Sequence, residues 1–228
     1  MADWQQLIQL SQQMQGRLQQ LQLELAEQIY DVQAGAGLVR VKVDGKGTLL
    51  ALSIDPEFAE LTQGIVLMGG SLNPQTDDPE FATSPRHEFN FWFDPEAAHI
   101  VLRAAWPRID ITTVDVSIKA PFTQKMLDQI SKSQSPTARY IAAWSQDRYY
   151  LWDELATCAW LDSTLITKEQ RLYMDVDLSH GPTYGDTLTW TEKLKPATGV
   201  RLVHAQVDLD LPRFQKMFVD LMSRGDAQ

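Results

Sequence analysis

Trp152 and Asp153 stand together where a helix is expected to begin, and Glu88 and Asn90 stand two residues apart. A carboxylate at a helix start readily offers oxygen to a hard cation, and it is equally an ordinary N-terminal helix charge. Side chains two apart in extended backbone point the same way, so Glu88 and Asn90 could act on one ligand group or form a strand-edge polar pair. Trp152 can stack on an electron-poor aromatic ring, or it packs as one of seven tryptophans. His87, His99, His180 and His204 have no mutual spacing that suggests a metal site or a triad, and surface positions are expected for them. Cys158 is the single cysteine, which excludes an intramolecular disulfide and a cysteine zinc cage and fits a core position on an apolar helix face. A reducing, cytoplasmic compartment is the plain expectation.

The chain has 228 residues, 44% of them hydrophobic, enough for a buried core and too many for a disordered chain. No apolar run approaches the roughly 18–20 residues of a membrane span. Net charge is −10, from 30 acids against 20 bases. Residues 1–60 carry eight acids (Asp3, Glu24, Glu27, Asp31, Asp44, Asp55, Glu57, Glu60) and four bases (Arg17, Arg40, Lys42, Lys46). Nucleic-acid affinity rests largely on phosphate neutralisation, so this charge disfavours DNA or RNA. Arg40, Lys42 and Lys46 are expected on the solvated face of a hairpin.

Two textures meet near residue 60, and domains are expected at 1–60 and 61–228. Residues 4–33 are rich in glutamine and helix formers; Leu7, Met14, Leu18, Leu21 and Leu25 make the seam of a helix that covers a sheet or joins a second copy. That helix is expected to end at Ala34-Gly35-Ala36-Gly37. Val39, Val41 and Val43, then Asp44-Gly45, then Leu50, Leu52 and Ile54 predict a β-hairpin. From Thr62 on, strands and helices alternate: an apolar strand at 64–68, expected to be buried on both faces; a loop at 73–86; a helix capped by Asp94-Pro95; a strand at 111–116; helices at 122–131, 136–146 and 150–160; strands at 172–176 and 202–207; and a last helix at 212–222. The fold class is therefore α/β, a mostly parallel sheet with helices on both faces, preceded by a long helix and a β-hairpin. Ligands in such sheets sit beyond the carboxyl ends of strands. The loops after Gly70 and Val116 and the start of the 150–160 helix are the expected place.

The opening helix, Gly35-Ala36-Gly37-Leu38-Val39, Val43-Asp44-Gly45-Lys46-Gly47 and Leu52-Ser53-Ile54-Asp55-Pro56 together resemble the YbaB/EbfC nucleoid-associated proteins over residues 3–58. That resemblance implies a homo-oligomer, a dimer formed through the N-terminal helix, and a role on DNA.

Residues 62–222 resemble the inosine–uridine preferring nucleoside hydrolases. The motifs are Val66-Leu67-Met68-Gly69-Gly70, Glu88-Phe89-Asn90, Asp94-Pro95-Glu96-Ala97-Ala98, Val114-Asp115-Val116, Trp152-Asp153-Glu154-Leu155-Ala156 and Tyr173-Met174-Asp175-Val176-Asp177. The resemblance implies hydrolysis of the N-glycosidic bond of ribonucleosides around a bound Ca²⁺. It implies Asp153 as a calcium ligand, Glu88 and Asn90 as partners of the ribose 5′-hydroxyl, and Asn73 and Met68 as ribose contacts. Trp152, where many members place histidine, implies a purine stacked on the indole as it leaves.

The family's aspartate cluster, Asp-x-Asp-x-x-x-Asp-Asp, has no counterpart here. Asp31, Asp44 and Asp55 are isolated, and Asp77-Asp78 lies in a loop on the wrong side of its strand. A calcium ion takes six to eight oxygens, which Asp153 alone does not supply. The resemblance therefore transfers the geometry of a binding site for purine ribonucleosides, with the N-terminal half of the hydrolase fold absent, and it does not transfer catalysis.

Overall fold

Ile29, Tyr30 and Val32 are β-branched or aromatic and favour extended backbone over helix. In the computed structural model, which describes residues 17, 20, 23–25, 27–34, 37–46, 49–56, 62–145, 149–197 and 199–224, they belong to a strand. This is β1 (Ile29–Ala34), antiparallel to β2 (Val39–Asp44), with Asp31 directly opposite Lys42 and 3.4 Å from its Nζ. The helix expected to reach Ala34 therefore stops short of Ile29, and β1 with β2 makes an antiparallel pair that the sequence did not predict. Gly37, between the two strands, is left-handed, with φ 91°. The predicted hairpin follows: β2 pairs with β3 (Leu49–Ile54), and Asp44 Oδ1 accepts from Lys46 N at 2.9 Å across the turn. Arg40, Lys42 and Lys46 are exposed, as expected. Most of the predicted helical seam (Leu7, Met14, Leu18, Leu21) lies outside the described residues.

The chain divides into two compact units, Met1–Leu61 and Thr62–Gln228. The second holds a five-stranded sheet in the order β4-β5-β8-β6-β7. These strands are β4 (Ile65–Met68), β5 (Ile109–Thr112), β6 (Ile166–Val176), β7 (Thr187–Trp190) and β8 (Arg201–Leu209). β4, β5 and β8 run parallel; β6 is antiparallel to β8, and β7 to β6. The α/β class expected from the alternation is the class found.

The helices are α1 (Pro79–Thr83), α2 (Phe89–Phe93), α3 (Pro95–Arg103), α4 (Val114–Ser117), α5 (Gln124–Ile130), α6 (Pro136–Trp144), α7 (Asp153–Leu161) and α8 (Leu211–Ser223). α3 packs on β6, α4 on β8, and α7 on β4 and β5. Val116, Phe122, Ile130, Leu155, Leu165, Leu209, Phe214 and Phe218 form one core beside the sheet, and Cys158 is buried in it as expected. Burial pushes the Cys158 thiol up to about 11, so it is inert at neutral pH.

Three local expectations change. β4 pairs only with β5 among the described residues, so its four side chains are half-buried rather than buried on both faces. The strand predicted at 111–116 ends at Thr112, because Thr113 turns the chain into α4; Asp115 is in a helical first turn. The stretch 73–86 contains α1, capped by Asp78 with Pro79 behind it, the same Asp-Pro-Glu start that Asp94 gives α3.

Asp175, buried at the end of β6, ties α3 to the sheet. Its Oδ1 lies 2.7 Å from His99 Nδ1, and its Oδ2 accepts from Arg103 Nε at 2.9 Å. Breaking a buried charged pair leaves its partners uncompensated. Asp175→Asn is expected to lower unfolding free energy by roughly 1–3 kcal/mol in urea titrations. Lys216→Ala, which breaks an exposed pair with Asp220, is expected to leave the midpoint in place.

Candidate functional site

β4 and β5 end together, while β8 runs on beside them to Leu209. Met68 of β4 is in register with Thr112 of β5, and Thr112 with Gln206 of β8. Thr112 Oγ1 donates to Gln206 Oε1 at 2.7 Å, and Thr113 Oγ1 to the Gln206 carbonyl at 2.7 Å, so the ends are fixed by buried bonds. Beyond them opens a cavity of about 300 Å³ lined by Met68, Glu80, Phe81, Glu88, Phe89, Asn90, Val114, Trp152 and Asp153. Five of the six residues singled out from the sequence, Met68, Glu88, Asn90, Trp152 and Asp153, thus share one wall system. Asn73 is not among the lining residues: it is exposed, and its backbone N–H is bonded to Asp115.

Glu88 is not on a strand. It is the N-cap of α2, so the same-side logic of extended backbone does not apply to it and Asn90; the helical turn brings both to the cavity instead. Glu88 Oε1 accepts from Phe91 N at 2.6 Å and Gly70 N at 3.1 Å, and Oε2 from Asn90 N at 2.8 Å. Gly70 has φ 73°, and a Cβ on Gly69 would stand 2.8 Å from the Phe91 ring, so this Gly-Gly loop passes where other residues would clash. A second carboxylate holds the same loop from the other side: Asp115 accepts from Leu72 N and Asn73 N, both at 2.9 Å. Burial pushes the Glu88 carboxyl above its ordinary 4.5, against the opposing pull of the three backbone N–H groups and of His87.

Asn90 Nδ2 donates to the Met68 carbonyl at 3.3 Å, which joins α2 to the end of β4. Trp152 precedes α7 and is held edge-on by Tyr150, centroids 5.2 Å apart, and by Phe81 at 6.1 Å. Asp153 and Glu80 are exposed, and no hydrogen bond or ion pair to a described residue engages either carboxylate. Glu80, Phe81, Phe89 and Val114 are lining residues for which no site role is expected from the sequence. The repeated Asp-Pro-Glu start at Asp78 was the available signal for the first two.

The donors on the cavity do not fit a resident calcium ion. Glu88 already receives three backbone N–H groups, which leaves Asp153 and Glu80 as free carboxylates against a need for six to eight oxygens. The other acidic cluster, Asp110, Glu169 and His204, has ligand atoms within 4.8 Å of one another. Its charge is already met: Arg108 Nε and Nη2 lie 2.7 Å from Asp110, and His204 Nδ1 lies 2.8 Å from Glu169 Oε1. His204 is thus a half-buried partner of a sheet network rather than a surface residue.

Residues 47–216 match the profile described as inosine-uridine preferring nucleoside hydrolase, and solved nucleoside hydrolases share the fold. The chain belongs to that family. It is 28% identical over 194 residues to the inosine-uridine preferring nucleoside hydrolase of Crithidia fasciculata, covering 78% of this chain and 58% of that protein. A solved purine-preferring ribonucleoside hydrolase from Gardnerella vaginalis superposes with a TM-score of 0.60 at 25% identity, covering 74% of this chain and 54% of that one. The chain therefore spans little more than half the length of these relatives. Residues 1–66 match the YbaB/EbfC DNA-binding family. A nucleoid-associated protein of Gluconobacter oxydans is 46% identical over 54 residues, 24% of this chain and 50% of that protein. The two matches overlap at 47–66, so the hydrolase likeness begins before Thr62, where the sequence motifs had placed it.

Because burial raises the Glu88 pKa, its ionisation opposes folding. That stability is present below about 4.5 and lost as pH rises through the higher folded value. The stability advantage of the native chain over Glu88→Gln is therefore expected to shrink as pH rises above about 4.5 in paired urea titrations. An advantage that grows with pH would contradict this.

Proposed function

We propose that the Thr62–Gln228 unit binds purine ribonucleosides in this cavity. The single observation that carries the proposal is the composition of the wall: three carboxylates (Glu80, Glu88, Asp153), one amide and three aromatic rings, with no Lys, Arg or His among the described residues that line it. Such a wall repels phosphate and accepts hydroxyl and ring N–H donors. Its volume is at the low end of the roughly 300–1,000 Å³ typical of small-molecule sites. Asn90 and Asp153 are assigned to the ribose hydroxyls, and Glu88 positions Asn90 through its backbone bond. Met68 packs on the sugar, and Trp152 stacks on the purine.

Hydrolysis is not assigned to these residues alone. Cleaving the N-glycosidic bond needs an activated water and a proton for the leaving base, and in the family a calcium ion organises that water. The donor set here does not fit that ion. Calorimetric titration of the chain is expected to show inosine or guanosine binding, at least tenfold weaker for the 5′-monophosphate and for Asn90→Ala. No ribose release above background is expected with or without millimolar calcium. Tighter binding of the monophosphate would overturn the proposal, and calcium-dependent turnover would overturn its non-catalytic part.

A second reading concerns the Met1–Leu61 unit, favoured by its match to the YbaB/EbfC family. It is proposed to pair with a second copy through the opening helix, where Leu23 and Leu25 remain exposed. DNA binding is the weaker part, since Lys42 is paired with Asp31 and the segment is acidic. Leu18→Glu with Leu21→Glu is expected to turn a dimer into a monomer in sedimentation velocity. An unchanged sedimentation coefficient would remove the helix as the interface.

A further inference from the structure

We propose that Glu80 selects the base, taking guanine over hypoxanthine and adenine through two parallel N–H bonds to its carboxylate. The proposal rests on the nucleoside reading above and deepens it. The cavity has two linked sets of residues. Met68, Glu88 and Asn90 are joined by hydrogen bonds around the end of β4. Phe81 and Trp152 meet ring to ring, and Glu80 precedes Phe81 on α1. With the sugar on the first set, the base falls to the second.

α1 is well anchored despite its five residues. Phe81 is buried, Asp78 Oδ1 accepts from Glu80 N at 3.1 Å, and Thr83 Oγ1 donates to the Pro79 carbonyl at 2.7 Å. The stretch that follows is tied to the sheet by Arg86 Nη1, which donates to the Thr187 carbonyl at 3.2 Å, and by Thr187 N, which donates to the Arg86 carbonyl at 2.9 Å. Glu80 is therefore carried by a fixed support, while its own carboxylate is left without a partner among the described residues.

An ionised carboxylate only accepts hydrogen bonds. The ring edge it faces must donate, and two side-by-side donors fit its two oxygens. Guanine presents N1–H and the N2 amino group side by side. Hypoxanthine presents N1–H alone. Adenine presents a bare N1 next to its amino group, which sets a lone pair against a negative charge. Uracil and cytosine are also poorer matches, since neither places two donors side by side on that edge.

The test is calorimetric titration of the full chain with guanosine, inosine and adenosine, repeated with Glu80→Gln and Glu80→Ala. Guanosine is expected to bind about tenfold tighter than inosine, with adenosine weakest, as one charge-assisted bond per step implies. In both variants the guanosine-to-inosine ratio is expected to fall toward one, with the melting temperature unchanged because Glu80 is exposed. Equal affinities in the native chain, or a ratio that survives both substitutions, would overturn the role of Glu80 and leave the nucleoside site standing. Failure of all three nucleosides to bind would overturn both.

Discussion

Glu88 is the constraint on which the site depends. A buried carboxylate is costly unless hydrogen bonds meet it, and here three backbone N–H groups do so, from Gly70, Asn90 and Phe91. Those bonds fasten the Gly-Gly turn after β4 to the first turn of α2, and Asp115 fastens the same loop from α4. Met68 and Asn90 reach one cavity because of this double clamp. A sequence without glycine at 69 and 70 could not pass beneath Phe91, so the motif and the clamp require each other.

With Glu88 engaged in structure, the remaining chemistry of the cavity is that of acceptors. Asp153 and Glu80 are the carboxylates left to meet a ligand, and no Lys, Arg or His is among the described residues of the wall. This explains why the site suits a neutral, hydroxyl-bearing aromatic molecule and why it does not complete a calcium cradle. The cluster of Asp110, Glu169 and His204, which resembles a metal set by distance, is closed by Arg108 and serves the sheet.

Much of this was legible in the amino-acid order. The alternation of strands and helices, the Asp-Gly hairpin, and the Asp-Pro start of α3 are local signals with local causes, and the structure follows them. Ile29–Ala34 departs from the expected helix because Ile29, Tyr30 and Val32 favour extended backbone and the segment pairs with β2, whereas the helix formers that run up to it suggest continuation. Glu88 and Asn90 share the cavity by a geometry other than the extended one expected, since Glu88 caps α2 and also accepts from Gly70 N, eighteen residues away. Glu80 and Phe81 were passed over because a stretch rich in Pro and Asp reads as loop, although Asp78-Pro79-Glu80 repeats the capping pattern seen at Asp94. The closure of the acidic cluster by Arg108 is a matter of three strands side by side and has no local signal.

The most direct test is a crystal structure of the chain grown with a purine ribonucleoside. The account predicts electron density for the sugar against Met68 and Asn90 and for the base against Trp152, with the Gly70 N–H still bonded to Glu88. Density for the ligand elsewhere on the chain, or a Glu88 carboxylate released from Gly70 to bind an ion, would contradict it.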